Sequence, residues 1–315
     1  MPLSLLRFNL VDPTLDATAM ADRYRAMLDM AVHADQHSFF MATFEEHHGA
    51  DDGWSPTPLI NAATVLARTT NLAASISALL LPLHDPIRVA EDHAVIDLMS
   101  GGRLTTILGL GYRPSEYALH GRDWDGRGAR MDHCVETLLK AWTGEPFEYT
   151  GATHRVTPVP VTKPHPMVMI GGTSKVAARR AARFGLPLST AAHLPDLEAY
   201  YYEKCAEYGT QGFCAMPGAD TAMVHVATDP DKAWAELGHH LLHEARTYAS
   251  WQTPDISSAV HSTATTPDQL RAEGIYQILT PAEAVTREAV VLHPLCGGMP
   301  LDAAWASLQA YTDAL

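Results

Sequence analysis

Short apolar runs of strand length alternate along this chain with stretches whose apolar residues recur every three or four positions, the period of a half-buried helix. Residues 3–11 read as a first strand. Residues 17–36 follow as a helix, with Met20, Tyr24, Met27, Leu28 and Ala31 on one face. Residues 38–43 form a second apolar run, ending at Phe44-Glu45-Glu46-His47-His48. A helix over 57–68 has Pro56 and Pro58 at its entrance, and 72–81 is a third strand that Pro82 ends. Residues 86–99 predict the next helix, which Gly101-Gly102 close as a left-handed cap. The fourth strand covers 104–109, and Met131, Cys134, Val135, Leu138, Leu139 and Trp142 mark its helix.

Residues 144–166 are rich in Pro, Thr and Gly and read as an excursion with hairpin character. Four further strands are expected at 167–170, 186–191, 221–227 and 290–294, with helices over 174–184, 197–208, 231–251 and 301–314. Eight strands, each followed by a helix, predict an α/β fold of the (β/α)8 TIM-barrel kind, as a single domain over 1–315. A doubly wound open sheet is the weaker alternative, since no strand leads into Gly-x-Gly-x-x-Gly. The stretch from Pro281 to the last strand leaves room for one or two helical turns, so one barrel helix is shortened.

Composition narrows the function classes. With 36 acidic and 22 basic residues the net charge is −14, the wrong sign for a nucleic-acid footprint. Full protonation of the 17 histidines would reverse it to +3, so the acidity belongs to neutral pH. The four cysteines stand far apart, with no disulfide framework or zinc spacing, which points to a reducing, cytoplasmic setting. No apolar run approaches a membrane span, and no signal-peptide pattern opens the chain.

In a barrel of this class the C-terminal strand ends carry the chemistry. Glu46, His47 and His48 stand at the second such end, where two imidazoles and a carboxylate can move protons or hold a metal. Alternation puts Glu46 and His48 on one side and Glu45 and His47 on the other. A polar loop start explains the same residues equally well. Ile170-Gly171-Gly172-Thr173-Ser174 runs from strand into helix, a turn whose backbone amides and hydroxyls can take a phosphate, or which is an ordinary tight turn. His33 and His37, and His239 and His243, are spaced for a shared helix face. Both pairs lie within predicted helices rather than at strand ends, so solvated or helix-end histidines are the better account and no metal is expected.

Taken together the strand ends resemble the bacterial luciferase-like flavin-dependent monooxygenases, which include FMN and F420 oxidoreductases. The resemblance rests on Glu46-His47-His48, LLPLHDPIRVAED at 80–92, LMSGGR at 98–103 and GLGY at 109–112. IGGTS at 170–174 and LCGGMP at 295–300 complete it, in the family's order. It implies that reduced FMN, with deazaflavin F420 as the alternative, binds at the strand ends. Ser77 and Ala78, joined by a non-proline cis peptide, Gly109, Gly111, Gly171, Gly172, Thr173 and Ser174 would hold it. His47 would be the catalytic imidazole, with Glu46, His48, Trp54, Tyr112 and Arg113 lining the substrate side.

The activity so implied is insertion of one oxygen from O2 into a small organic substrate through a flavin C4a-peroxide. A separate reductase would supply the reduced flavin, and the chain would form a homodimer. Where the luciferases proper carry Cys then Arg at the end of the fourth strand, this chain has Gly109 and Leu110, which argues against long-chain aldehyde oxidation with light emission. F420-dependent hydride transfer, non-catalytic flavin binding and metal-dependent hydrolysis are the other readings.

Overall fold

Strand and helix alternate from end to end in the computed structural model, which describes residues 2–252, 258 and 260–315. β1 (Leu3–Phe8) leads into α1 (Ala17–Gln36), β2 (Met41–Phe44) into α2 (Pro58–Arg68), and β3 (Ala73–Leu80) into α3 (Pro86–Ser100). Next come β4 (Leu104–Gly109), α4 (Pro114–Leu119), α5 (Arg127–Ala141), and the pair β5 (Phe147–Tyr149) and β6 (Ala152–His154). β7 (Met167–Gly171), α6 (Lys175–Phe184), β8 (Leu188–Ser189), α7 (Pro195–Tyr208) and β9 (Cys214–Ala215) follow. The chain continues through β10 (Met223–Val226), α8 (Pro230–Trp251), α9 (Pro267–Glu273) and β11 (Tyr276–Leu279). It closes with α10 (Pro281–Ala284), β12 (Ala289–Leu292) and α11 (Leu301–Thr312).

The chain divides into two compact units. The first, of residues 1–56, 68–73 and 217–315, holds parallel strands in the order β11-β10-β12-β1-β2. The second, of residues 57–67 and 74–216, holds parallel strands in the order β3-β4-β7-β8-β9. The expected excursion is the antiparallel pair β5–β6, turning at Thr150 and Gly151, and the shortened helix is α10 with four residues.

Local chemistry accounts for the boundaries. Asp85 accepts from the N–H groups of Ile87 and Arg88, Pro86 opens α3, and Gly101 ends it at φ +67°. The apolar run over 3–11 stops being a strand at Phe8 because Leu10 takes φ +61°, outside the extended region. Ser38, at φ +59°, likewise delays the second strand to Met41. β9 and β11 are additional strands. β11 pairs along β10 from Met223↔Tyr276 to Val226↔Leu279, while β10 meets β12 at Met223↔Val291.

In the second unit, Met131, Cys134, Val135 and Leu138 of α5 are buried, as their spacing predicts. His93 of α3 is buried as well, between the Val89 carbonyl (Nδ1, 2.8 Å) and Thr106 Oγ1 (Nε2, 2.9 Å). Burial pushes its imidazole down to about 4, and burial does the same to His225 in the first unit. An unfolded histidine takes up its proton near the ordinary value, whereas these do so only near 4. Stability is therefore full above about pH 6.5 and falls as pH drops towards 4, by about 3 kcal/mol for each group. Denaturant midpoints measured from pH 7 to pH 4 should fall through this window, and His93→Gln should remove about half of the fall.

Candidate active site

In the first unit, the residues after β2 separate by side as alternation requires. Glu45 pairs with Arg7 of β1, whereas Glu46, only 2% exposed, meets His48 Nε2 through Oε1 at 2.9 Å. The His47 N–H donates to the Ser55 carbonyl at 3.2 Å, and the Ser55 N–H donates to the Asn9 carbonyl at 2.8 Å. This returns the 47–55 loop along the end of β1 and brings Trp54 back onto His47. The His47 ring is 5.4 Å from Trp54, edge to face at 79°, and 4.7 Å from Trp251, with Tyr248 at 6.4 Å. His47 is thus a buried imidazole walled by three aromatic rings.

Tyr248 and Trp251 come from α8, and Glu244 of the same helix explains their placement. Positions 244, 248 and 251 fall on one helix face. Glu244 is fully buried and accepts from Arg7 Nη1 (2.9 Å), Asn9 Nδ2 (2.8 Å) and Tyr276 Oη (3.2 Å). His293 Nε2 lies 3.0 and 2.8 Å from its two oxygens. Burial pushes the Glu244 carboxyl up, but His293 and Arg7 beside it, and the bonds from His293 and Asn9, hold it well below the usual carboxylate range. Burial, and then that carboxylate, push the Cys296 thiol well above its ordinary value.

Glu244, His293 and Cys296 offer ligand atoms within 4.8 Å of one another, the spacing of a metal-ligand set. Arg7 already occupies the carboxylate, and a cation would have to displace a buried guanidinium, so the ion-paired arrangement is the better account. The spaced helical histidines are engaged elsewhere. His33 meets Thr312 Oγ1 at 3.1 Å and stacks on His37, and His243 pairs with Asp52 at 3.0 Å.

In the second unit, three neighbouring strands end together, with Leu80 opposite Gly109 and Leu108 opposite Ile170. The Ser77–Ala78 peptide is cis. A Cβ on Gly109 would lie 2.9 Å from Ala78 Cβ, and one on Gly171 would lie 2.7 Å from Ile107 Cγ2. Glycine at both positions lets the strand ends approach and keeps them free of side chains. Gly172 is tied to α6 in the same way, since its Cβ would lie 2.6 Å from Ala177 Cβ. Thr173 is half-buried, and Ser174 caps α6 by accepting the Ala177 N–H at 3.3 Å. The Gly172 N–H donates to the Ser189 carbonyl at 3.1 Å, so it is the helix N-terminus beyond this glycine cradle that suits a flavin phosphate held by backbone N–H groups. Gly171→Ala should destabilise the protein by about 1–3 kcal/mol in urea denaturation, because the added methyl must displace Ile107.

Gly111 takes φ +78°, and Tyr112 is half-buried. Arg113 is paired with Glu116 at 3.1 Å and so carries little free charge. Tyr248, Trp251, Glu244 and the partners of Glu244 were not legible as site residues in the sequence. Only the 244/248/251 spacing on a long helix hinted at them.

The luciferase-like monooxygenase family model matches residues 1–296. The chain belongs to this family. The uncharacterized protein y4wF of Sinorhizobium fredii is 32% identical over 175 residues, covering 54% of this chain and 51% of that protein. The chain thus spans about half the length of this and other curated relatives it matches.

Among luciferase-like structures, the monooxygenase RslO1 of Streptomyces bottropensis superposes with TM-score 0.74 at 20% identity, over 100% of this chain and 98% of that one. The oxygenating constituent of 3,6-diketocamphane monooxygenase of Pseudomonas putida, in complex with FMN, gives 0.67 at 15%, over 98% and 96%. An F420-dependent secondary alcohol dehydrogenase gives 0.63 at 17%, over 100% and 98%. At these identities the likeness is one of fold, the α/β luciferase-like barrel.

Proposed function

We propose that this chain is the oxygenase of a two-component flavin system, taking reduced FMN from a separate reductase and using O2 to oxygenate a small organic substrate. The observation that carries this reading is His47, a titratable imidazole at a strand end, buried and enclosed by Trp54, Tyr248 and Trp251. Such a wall excludes water from a proton-transferring group, as an oxygenation requires. Reduced FMN, when bound, supplies the two electrons that activate O2. Gly171, Gly172, Thr173 and Ser174 would hold its phosphate, while Ser77, Ala78, Gly109 and Gly111 would keep the strand ends clear for its ring. His47 exchanges a proton with the substrate, with Glu46, His48 and Trp54 on that side.

Charge favours FMN over F420, whose anionic tail calls for free cations. Two of the three arginines of α6, Arg180 and Arg183, are engaged with Asp132 at 2.5 and 3.0 Å. The cysteines are free thiols, consistent with a cytoplasmic setting. Among the described residues, no helix is long and apolar enough to cross a membrane. Ile60 of α2 and Val95, Leu98 and Met99 of α3 are exposed apolar residues, which a second copy of the chain would cover in a homodimer.

Anaerobic titration with reduced FMN, and separately with reduced F420, followed by mixing with oxygenated buffer, tests the reading. Preferential binding of reduced FMN and a transient species distinct from oxidised flavin are expected. Tight F420 binding without reaction with oxygen would replace it with hydride transfer. Flavin binding without any turnover would leave a carrier, and binding of neither would overturn a flavin function altogether.

A further inference from the structure

The aromatic surround of His47 has a feature that packing alone does not account for. Trp54 is 2% exposed, yet its indole N–H has no hydrogen-bond partner among the described residues. A buried donor left unpaired is costly, and the cost disappears when a ligand acceptor meets it. Around it, Trp54 and Tyr248 lie nearly parallel at 20°, 6.1 Å apart. Trp251 meets Trp54 at 62° and His47 at 56°. Tyr248 and Trp251 are half-buried, less enclosed than the imidazole itself.

We infer that Trp54, Tyr248 and Trp251 form the substrate subsite and select a flat, conjugated ring bearing a hydrogen-bond acceptor. The inference deepens the proposed function, because it rests on His47 being the substrate-side group. Steeply inclined ring planes present both faces and edges, and a guest ring can satisfy offset-stacked and edge-to-face contacts at once. An alkyl chain gains only burial from the same walls. A quaternary ammonium would be drawn to the ring faces, but it has no acceptor and would leave the Trp54 N–H unpaired. An aromatic ketone or phenol meets both demands. Tyr248 and Trp251 thereby become specificity residues contributed by α8, far in sequence from the strand-end motifs.

Calorimetric titration of the full chain without flavin tests this with four probes. They are 2-acetonaphthone, 2-ethylnaphthalene of the same shape without the acceptor, decanal, and phenyltrimethylammonium. The ketone should bind about tenfold or more tightly than 2-ethylnaphthalene and the ammonium, which leave the donor unpaired, and than decanal, whose carbonyl can meet the donor but whose chain makes no ring contacts. Trp54→Phe should keep ring binding but erase the preference for the ketone over the ethyl compound. Trp251→Leu and Tyr248→Leu should each weaken both naphthalenes about tenfold, with little effect on decanal. Tighter binding of decanal or of the ammonium, or an unchanged ketone preference in Trp54→Phe, overturns the assignment.

Reduced-FMN binding is measured in parallel on every variant. Its retention reports an intact fold. Its absence from the unmodified chain, with the ketone preference intact, would sink the flavin reading while sustaining the aromatic subsite.

Discussion

Replacing His47 with alanine is expected to lower the rate of product formation by about 10²–10⁴-fold, the range for loss of a positioned acid–base group, and with it the product formed per reduced FMN consumed. Reduced FMN should still bind, because the glycine cradle at Gly171–Ser174 belongs to different strands from the one that carries His47. The flavin should still be oxidised by O2, with its electrons diverted to hydrogen peroxide rather than product. His47→Asn separates shape from chemistry. It fills much of the space beside Trp54 and Trp251 but cannot titrate, so it should resemble alanine in turnover and the native protein in stability. Product yield and peroxide release, measured together with stopped-flow flavin oxidation, decide the matter. If His47→Ala kept native product yield, the imidazole would be a packing residue and the proposed mechanism would fail.

Glu244→Ala should cost about 3–5 kcal/mol in guanidinium denaturation at pH 7, as expected when one partner of a buried ion pair is removed and the other stays uncompensated. Arg7 would keep only Glu45, and the Asn9 amide and Tyr276 hydroxyl would each lose an acceptor. Glu244→Gln preserves the shape and some of these bonds but not the charge, and should fall between the two. The pH dependence follows from the direction of the shift. The folded carboxyl lies below the ordinary value, so its stabilisation is present above about pH 4.5 and is lost as pH falls further. Glu244→Gln should flatten that acid limb.

Because Tyr248 and Trp251 share a helix face with Glu244, the alanine variant should also shift tryptophan emission to the red. A loss below about 1 kcal/mol would mean that the network relaxes or rehydrates freely and does not dock α8.

The course of the main strands and helices could be read from local pattern, because an apolar run or a three-to-four residue period is written into neighbouring positions. β3, β4 and β7, with the glycines at their ends, are legible in this way. β9 and β11 have no such local signal. Cys214–Ala215 is only two residues, and Tyr276–Leu279 interleaves Gln with its apolar residues too briefly to show a period. The apolar run over 3–11 predicts too long a first strand, because nothing in it announces that Leu10 takes a positive φ.

What the sequence determined by itself was the alternation of strand and helix, the family, and the residue types waiting at the strand ends, all properties of segments a few residues long. What only the tertiary structure decided is what surrounds those residues. Arg7, Asn9, Glu244, Tyr276 and His293 lie up to 286 positions apart, and no local spacing relates them. They meet because β1, β11 and β12 place their side chains around one carboxylate of α8. The same docking sets Tyr248 and Trp251 against His47. A buried charge must find its partners wherever the folded chain supplies them, and that condition is met in space and not along the sequence.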